Sequence, residues 1–386
     1  MAADRDFTGA SGAGRRRRLV IVGGGFGGLT AARELRGADV DVTLVDPKSH
    51  HLFQPLLYQL ACGELSPAEC ASPIRAAVKQ GPNVTVLMAK ATAVDVQKRE
   101  LTLDRGERLP YDSLLLACGA ETSYFGNDSW QRVSYGLKTL QDAVDLRNRI
   151  YAAFEEAERT EDPDARRRWL TFVVIGGGPT GVELAGELAA VARETMKRYF
   201  RRIDPREARV VLLDAGDRLV SSFEQKLSAY ILRSLERLSV TVHSRARVTA
   251  IDAGGVTFEL DASEQRIEAQ TVVWAAGVCA VPFAATVAQA AAVEHDRGGR
   301  IPIQDDLSLA GHPEISAIGD ASHLLGPDGR PLPGLATVAI QQARHFAEGI
   351  RAGAPGASGP FRYFDKGALA VVGRGRAVCE IRGHSL

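Results

Sequence analysis

The sequence has few cysteines and no net charge, and both deficits narrow what the protein can be. Its five cysteines form an odd set, and no two of them have C-x-x-C spacing. A disulfide framework or a zinc site is therefore disfavoured, and reduced thiols in a cytosolic compartment are expected. The eight histidines form no H-x-x-x-H or Cys/His cluster. We predict no metal.

The charge balance gives no reason to expect a polyanionic partner. Lys plus Arg is 47 and Asp plus Glu is 47, so no global field favours nucleic acid. Two local basic runs stand out, one at residues 15–18 and one in which cations surround Tyr199 and Phe200, namely Lys197, Arg198, Arg201 and Arg202. The patterns favour a solvated tail and a solvated helix face.

Long apolar targeting or spanning segments are also lacking. Residues 1–18 have no apolar core typical of a signal peptide, so export is not encoded there. Residues 271–293 carry no charge over a length that could span a bilayer, but Gly277 and Pro282 interrupt them. We predict a buried strand, a turn and an Ala-rich helix there, in a soluble globular chain of about two or three domains.

A glycine loop follows the first predicted strand. The apolar run LVIV at residues 19–22 precedes Gly23-x-Gly25-x-x-Gly28, a helical pattern and a second strand that ends at Asp46. Gly23 permits a tight turn, Gly25 lets a pyrophosphate approach the backbone, and Gly28 allows close packing of helix and strand. The helix N-terminus attracts phosphate, and Asp46 can accept a bond from a ribose hydroxyl. The pattern predicts a βαβ dinucleotide-binding unit.

The same pattern occurs a second time. Strand 171–175 leads into Gly176-x-Gly178-x-x-Gly181, Pro179 stands near the first helical turn, and a later strand ends in Asp214. The acidic Asp214 would repel a 2′-phosphate, so NADH is favoured over NADPH, although Arg218 lies nearby in sequence. Two such loops predict that FAD and a nicotinamide dinucleotide are bound together.

Three further stretches support this interpretation. LLLACGA at residues 114–120 and VVWAAGV at residues 272–278 are apolar strands that end in small residues, as expected where a chain crosses between two nucleotide domains. AIGDAS at residues 317–322 places Asp320 after a strand and a glycine, which suits a bond to the ribityl or phosphate part of a flavin. Alone, each is equally compatible with an ordinary buried strand and turn.

With these motifs the chain resembles the two-dinucleotide flavoprotein reductases and, more narrowly, the type II NADH:quinone oxidoreductases. The resemblance covers about residues 17–383 and includes HHLFQPLLYQLACGELSP, GLKTLQDAVDLRNRI, GGGPTGVELAGEL, ATVAIQQ and FRYFDKGALAVVGRGRAV. It implies an enzyme that oxidises NADH, reduces FAD by hydride transfer and passes two electrons to a quinone without pumping ions. It also implies a respiratory electron-transport role, peripheral on the cytoplasmic face of the cell membrane, and it leaves a homodimer open.

The resemblance implies an α/β fold with two Rossmann-like domains, the second inserted in the first. We expect an FAD-binding domain at 17–128 and 285–350, an NADH-binding domain at 129–284, a C-terminal segment at 351–386 and a flexible arm at 1–16. The residues assigned to cofactor binding are Gly23, Gly25, Phe26, Gly27, Gly28, Asp46, Phe53, Gln54, Pro55, Cys118, Gly119, Gly176, Gly178, Pro179, Thr180, Gly181, Asp214, Ala276, Gly277, Gly319, Asp320 and Ala336.

Three residues are assigned to catalysis. Glu183 follows the third glycine of the second loop by two positions, and the family places a glutamate where nicotinamide, flavin and quinone meet. We expect it to position NADH and assist quinone protonation; alternatively, Glu183 and Glu187 line an exposed helix face. Gln341 and Gln342 resemble the family's quinone-side amides. Alternatively, Ala339 and Gln341 serve only helix packing against the flavin domain.

The C-terminal residues bear on membrane attachment. Relatives usually continue past the GR-x-x-AV signature with apolar or amphipathic segments, whereas this chain stops at EIRGHSL. The resemblance therefore predicts weakened membrane attachment. His50 and His51 are expected to cap a turn and pack, beside Phe53, Gln54 and Pro55 at the isoalloxazine.

Three alternatives remain open. A disulfide reductase would need a C-x₄-C pair, which Cys62 and Cys70 do not form. A sulfide:quinone oxidoreductase would use cysteines such as Cys118, Cys279 or Cys379, but would not use NADH. A non-catalytic NADH- and FAD-binding redox sensor would keep the fold without acceptor chemistry.

Overall fold

The computed structural model describes residues 15–78, 81–373, 375–381 and 384–385. The chain divides into two compact units, and each consists of three segments. The first unit comprises residues 15–51, Pro73–Gly119 and Ala280–Tyr363, and the second comprises Leu52–Ser72, Ala120–Cys279 and the described residues from 364 onward. Residues 1–14 of the predicted flexible arm lie outside the described residues.

The first unit is built on a six-stranded sheet whose central strands are buried. From one edge the order is Ser308–Leu309, His312–Ala317, Ser113–Leu116, Arg17–Val22, Val40–Asp46 and Val84–Met88, and only the first pair is antiparallel. Continuous apolar runs such as Leu19–Val22 are buried, as a parallel sheet with two covered faces requires.

Helices and small sheets complete this unit. Its helices are Phe26–Glu34, Ile74–Val78, Pro282–Ala290 and Ala336–Arg351, with a 3-10 turn at Gly319–Ala321. The remaining strands are Ala91–Asp95, Glu100–Leu103, Arg108–Pro110, Ile301–Pro302 and Ser322–His323. Short strands at the unit boundaries are His50–Leu52, Ala71–Pro73 and Val278–Ala280.

The second unit repeats the plan on a four-stranded, all-parallel sheet. The strand order is Val240–His243, Arg209–Leu213, Thr171–Ile175 and Thr271–Trp274. The other strands are Ala120–Thr122, Arg247–Asp252, Gly255–Leu260, Ser263–Glu268, Ala368–Val371, Ala377–Ile381 and His384–Ser385. The α-helices are Leu57–Ala61, Pro67–Cys70, Leu140–Arg159, Pro163–Trp169, Pro179–Ala190 and Gln225–Arg237. A π-helix spans Val191–Thr195, and 3-10 turns span Gln54–Leu56, Asp128–Arg132, Met196–Arg198 and Pro205–Glu207.

The observed boundaries differ from the expected ones for a physical reason. The chain passes between units at Gly119–Ala120 and at Cys279–Ala280, directly after the two apolar strands that end in small residues. Residues 52–72 join the second unit because the helix Leu57–Ala61 packs on Leu140–Arg159 and Pro179–Ala190. Residues from 364 onward also join it, since the strand Ala368–Val371 packs on Pro179–Ala190.

Residues 271–293 form the predicted strand, turn and helix. The strand Thr271–Trp274 is buried, and the helix Pro282–Ala290 follows Val278–Ala280. No helix among the described residues is both long and apolar enough to cross a membrane.

Candidate dinucleotide sites

The first glycine loop, Gly23–Gly28, has a shape that its neighbours impose. Gly23 has a φ of +110°, and a Cβ there would lie 2.2 Å from the carbonyl oxygen of Ala117. A Cβ on Gly28 would lie 1.8 Å from the carbonyl oxygen of Gly23. Gly25 differs, because a Cβ there would meet no protein atom within 4 Å. The loop is therefore tight on its protein side and open at Gly25, where the helix Phe26–Glu34 begins.

Asp46 braces this loop from the end of its strand. One carboxylate oxygen accepts the Gly24 N–H at 2.6 Å, and the other accepts the Lys48 N–H at 2.7 Å. Each carboxylate oxygen has a second lone pair. Asp46 therefore lies beside the loop with acceptor capacity left for a ribose hydroxyl.

A second turn packs against the helix of the first loop. Gly319 has a φ of +65°, and its added Cβ would lie 3.1 Å from the Cβ of Ala339. An added Cβ on Gly27 would lie 3.6 Å from that same Ala339 Cβ. Small residues thus let the turn that carries Asp320 approach the first loop's helix and the helix Ala336–Arg351.

Gln342 fixes that turn from inside the unit. Its side chain is fully buried, and its Oε1 accepts the Gly319 N–H at 2.7 Å. Gln341 is only partly buried. The two glutamines assigned to one role therefore have different surroundings: the Gln342 amide holds Gly319, whereas Gln341 is the more accessible of the pair.

The helix Ala336–Arg351 begins without a side-chain cap. Its N-cap residue, Leu335, supplies no side-chain hydrogen bond. The first amides of a helix have no intrahelical acceptor, and they carry partial positive charge. Ala336 and Thr337 are partly exposed at this end, and the Thr337 hydroxyl lies 3.2 Å from that of Tyr363.

The second glycine loop, Gly176–Gly181, reproduces the first. Gly176 has a φ of +112°, and its added Cβ would lie 2.6 Å from the carbonyl oxygen of Ala275. A Cβ on Gly181 would lie 1.9 Å from the Gly176 carbonyl oxygen, while a Cβ on Gly178 would meet nothing within 4 Å. Pro179 is the first residue of the helix, as predicted, and Thr180 follows it at an exposed position.

Asp214 takes the place that Asp46 has in the first unit. It accepts the Gly177 N–H at 2.7 Å and the Gly216 N–H at 3.1 Å. The strand ends at Leu213, one residue before the predicted end. Arg218 donates to the carbonyl oxygens of Ser221 and Phe223, each at 2.6 Å, so its guanidinium is held within its own loop.

Glu183 lies in the second turn of the helix Pro179–Ala190 and is largely buried. Burial raises the pKa of its carboxyl to about 7, although a hydrogen bond from the Val371 N–H at 3.2 Å acts in the opposite direction. Glu187, one turn later, is 2% exposed. The alternative that both glutamates line an exposed helix face is therefore wrong.

Other titratable side chains surround this pair of glutamates. The helix Leu57–Ala61, packed on Pro179–Ala190, carries the buried Tyr58. Burial, followed by the charges of Glu183 and Glu187, raises the pKa of Tyr58. Burial and the charge of Glu187 likewise raise the pKa of Cys62. Both groups are neutral at physiological pH.

A close backbone contact holds the C-terminal segment against the same helix. A Cβ on Gly186 would lie 2.9 Å from the backbone nitrogen of Gly373. Gly373 has a φ of +67°. Sequence reasoning missed this contact and the buried state of Glu187; the only local sign was the small residue Gly186 next to Ala185 in the helix.

The remaining predicted site residues divide by exposure. Phe53 is 44% exposed, and Gln54 and Pro55 are also exposed. Cys118 and Gly119 follow Ala117, whose carbonyl oxygen lies beside Gly23 of the first loop. Ala276 and Gly277 follow Ala275, whose carbonyl oxygen lies beside Gly176 of the second loop. His51 packs as expected, with Nδ1 3.0 Å from the Gly24 carbonyl oxygen and its ring edge-on to Phe26.

Burial makes Cys118 and Cys279 poor nucleophiles. All five are free thiols, and burial raises the pKa of Cys118 to about 12. Burial also raises the pKa of Cys279. The thiolate is the reactive form. Among the residues that the structure describes, no group of three or more His, Cys, Asp or Glu side chains could hold a metal ion.

Comparison with known proteins matches these features to one family. The pyridine nucleotide-disulphide oxidoreductase family model matches residues 17–343. The chain is 44% identical to the type II NADH:quinone oxidoreductase Ndh of Mycobacterium tuberculosis, covering 95% of this chain and 80% of the relative. It is 28% identical to a type II NADH:quinone oxidoreductase of Staphylococcus haemolyticus, covering 96% and 91%.

Solved structures share the fold. NDH2 from Plasmodium falciparum, in complex with NADH, superposes with a TM-score of 0.87 at 20% identity, covering 96% of this chain and 91% of that one. The sulfide:quinone oxidoreductase of Aquifex aeolicus gives a TM-score of 0.74 at 18% identity, covering 95% and 83%.

Proposed function

The chain belongs to the pyridine nucleotide-disulphide oxidoreductase family and, within it, to the type II NADH:quinone oxidoreductases, and we propose that it oxidises NADH and reduces a quinone with FAD as its cofactor. The observation that carries this proposal is the duplicated glycine loop, tight on its protein side and open at Gly25 and Gly178. Each opening lies at a helix N-terminus, where a pyrophosphate binds favourably. The 44% identity to a type II enzyme over most of the chain supports the reaction.

We assign FAD to the first unit. Gly25 leaves room for the pyrophosphate, Asp46 can accept from a ribose hydroxyl, and Asp320 lies on the turn that Gln342 fixes. When bound, FAD accepts a hydride from NADH and delivers two electrons to a quinone. The residues of this unit bind and orient the cofactor, since placement is the protein's part in such chemistry.

We assign NADH to the second unit. Gly178 leaves the equivalent opening, and Asp214, which accepts the Gly177 N–H, is assigned to a ribose hydroxyl. An adjacent carboxylate repels a 2′-phosphate, and Arg218 is engaged by carbonyl oxygens of its own loop. These contacts favour NADH over NADPH.

Glu183 is assigned to proton handling and to positioning. A carboxyl with a pKa of about 7 holds a proton in a large share of molecules at neutral pH and can release it without a large energetic cost. Quinone reduction to quinol consumes two protons as well as two electrons. Glu183 therefore suits a proton donor to the reduced acceptor, replenished from solvent between turnovers.

Acceptor binding is assigned to the start of the helix Ala336–Arg351. Ala336 is small, the first helix amides lack intrahelical partners, and Gln341 is partly accessible. Amide and N–H donors of this kind suit a quinone carbonyl. Gln342 acts as a positioning residue through Gly319. A quinone dissolved in a membrane implies peripheral attachment, and the cytoplasmic face and a homodimer are part of the same proposal.

Absorption spectra test the function directly. The purified protein should be yellow, bleach on addition of NADH, and regain its flavin spectrum on addition of a short-chain quinone. Bleaching by sulfide but not by NADH would favour a sulfide:quinone oxidoreductase, which the raised pKa of Cys118 disfavours. A protein that stays colourless in the presence of added FAD would remove the proposal, and bleaching without quinone turnover would indicate a redox sensor.

A further inference from the structure

One surface of the second unit concentrates positive charge on a neutral chain. Residues 193–202, hereafter the basic loop, contain five Lys or Arg residues and one acid, Glu194. The π-helix Val191–Thr195 follows the helix of Glu183 directly. The basic loop begins within this π-helix and continues through the turn Met196–Arg198. Its cations are therefore a local feature, because the whole chain carries no net charge.

The backbone of the basic loop is fixed by buried side chains and by hydrogen bonds to Glu158. The buried Met196 and Ile203 anchor its two sides, and the Phe200 ring packs against Phe154 with centroids 5.9 Å apart. The carboxylate of Glu158 accepts backbone N–H bonds of 3.0 to 3.2 Å from three consecutive residues, Arg201, Arg202 and Ile203. These contacts leave the charged side chains on the outside of a fixed platform.

An aromatic ring stands among these cations. Tyr199 is 72% exposed, whereas the neighbouring Phe200 is partly buried. Tyrosine is favoured at the boundary between water and hydrocarbon because its body is apolar and its tip is polar. An exposed tyrosine between basic side chains combines an amphipathic ring with positive charge, and both favour attachment to an anionic membrane surface.

Three of the cations are available to a partner. Within the described part of the chain, the side chains of Lys197, Arg198 and Arg201 form no ion pair or hydrogen bond. Arg202 is different, since it lies 3.6 Å from Glu161. The exposed acid Glu194 offsets only part of the charge. The available surface is therefore Lys197, Arg198, Tyr199 and Arg201.

We propose that the basic loop docks the protein on a bilayer that contains anionic lipids. Cations near an anionic membrane surface each contribute to binding, and Tyr199 would insert at headgroup level. The inference rests on the proposed function in one respect: a membrane-dissolved quinone makes a lipid surface the expected partner, ahead of an acidic protein. Attachment through fixed surface residues requires no spanning helix.

Co-sedimentation with vesicles tests the docking without NADH or quinone. The wild-type protein should bind vesicles of phosphatidylcholine mixed equally with phosphatidylglycerol, and bind phosphatidylcholine alone weakly. The K197E/R198E/R201E variant should bind the mixed vesicles about ten-fold or more less tightly. Tyr199→Ser should weaken binding by a smaller factor. Raising the salt from about 0.05 M to about 0.5 M should weaken the wild type and hardly affect the triple variant.

A matched variant controls for total charge. R167E/R233E/R237E reverses three exposed arginines of the same unit, and it should bind vesicles nearly as the wild type does. Retained far-UV circular dichroism and NADH oxidation with a short-chain quinone show that each variant is folded. If both triple variants lose binding equally, or if the wild type binds an acidic polypeptide but not the mixed vesicles, the docking proposal fails. Such a result leaves NADH oxidation, and hence the proposed function, intact.

Discussion

The backbone N–H of Val371 donates a hydrogen bond to the carboxylate of Glu183 at 3.2 Å. This contact joins two parts of the chain 188 positions apart. It also moderates the effect of burial, because a hydrogen bond to a carboxylate favours the ionised form. The pKa of about 7 is thus the result of two opposing contributions.

The first prediction concerns the pH dependence of quinone reduction. Glu183→Gln should lower turnover with a quinone by about ten-fold to a hundred-fold, because it removes a proton donor. The wild-type rate should show an inflection near pH 7, falling as pH rises, and the variant should lack that inflection. Glu236→Gln, at an exposed helix position in the same unit, is the matched control. An unchanged pH profile in Glu183→Gln would contradict the assignment.

The same carboxyl should make folding stability pH-dependent. Its folded pKa lies above the usual value of 4.5, so the folded state binds the proton more tightly. Its contribution is therefore fully present below about pH 4.5 and is lost as pH rises through 7. Partial exposure limits the loss to about 2 kcal/mol. Denaturant titrations at pH 5 and pH 8 should show a smaller pH effect in Glu183→Gln than in the wild type.

The third prediction separates folding from FAD binding at the first loop. Gly25→Ala should fold but retain little FAD, because the new methyl group enters the open space that we assign to a pyrophosphate. Gly28→Ala should lose about 3 kcal/mol or more of stability, because its Cβ would overlap the Gly23 carbonyl. Flavin absorbance per mole of protein and thermal unfolding measure the two effects. A Gly25→Ala protein with full FAD content would contradict the cofactor assignment.

The fourth prediction applies the same substitution to the second loop. Gly178→Ala should retain FAD and show a KM for NADH raised about ten-fold or more, since its methyl group occupies the corresponding opening. Gly25→Ala should instead lose FAD, and the fraction that retains FAD should have an unchanged KM for NADH. Loss of FAD from the Gly178→Ala protein with an unchanged KM for NADH would reverse the assignment of the two units.

Cofactor choice gives the fifth prediction. Asp214→Asn should lower the ratio of kcat/KM for NADH to that for NADPH by about ten-fold, because it removes a charge that repels a 2′-phosphate. Arg218→Gln should reduce stability instead, since that guanidinium donates to carbonyl oxygens in its own loop. Steady-state kinetics with NADH and NADPH measure the preference of each variant, and thermal unfolding measures its stability.

The sequence predicts the two sheets well because their signals are local. Strand Val40–Asp46 and strand Thr171–Ile175 have the expected bounds, since a buried strand, a glycine loop and a helix follow each other within a few residues. Gly28 is required by its close contact with the Gly23 carbonyl oxygen, inside one βαβ unit. Such features can be read from residue type and spacing alone.

Long-range contacts could not be predicted in the same way. The burial of Glu187, the placement of residues 52–72 in the second unit and the Val371–Glu183 bond depend on segments distant in sequence. The full burial of Gln342 is similar, because its pairing with Gly319 depends on how a helix and a turn meet. Helix spacing suggested an exposed face for Glu183 and Glu187, and tertiary packing overrode it.

Because Gly186 and Gly373 approach closely, the position of the strand Ala368–Val371 affects the pKa of Glu183. A bulkier residue at Gly186 would push the backbone at Gly373, and with it the Ala368–Val371 strand, away from the helix and admit water to the Glu183 carboxyl. Hydration would lower its proton affinity without any change in the glycine loops. The pH optimum of the enzyme can therefore be tuned by a substitution at a position outside both glycine loops.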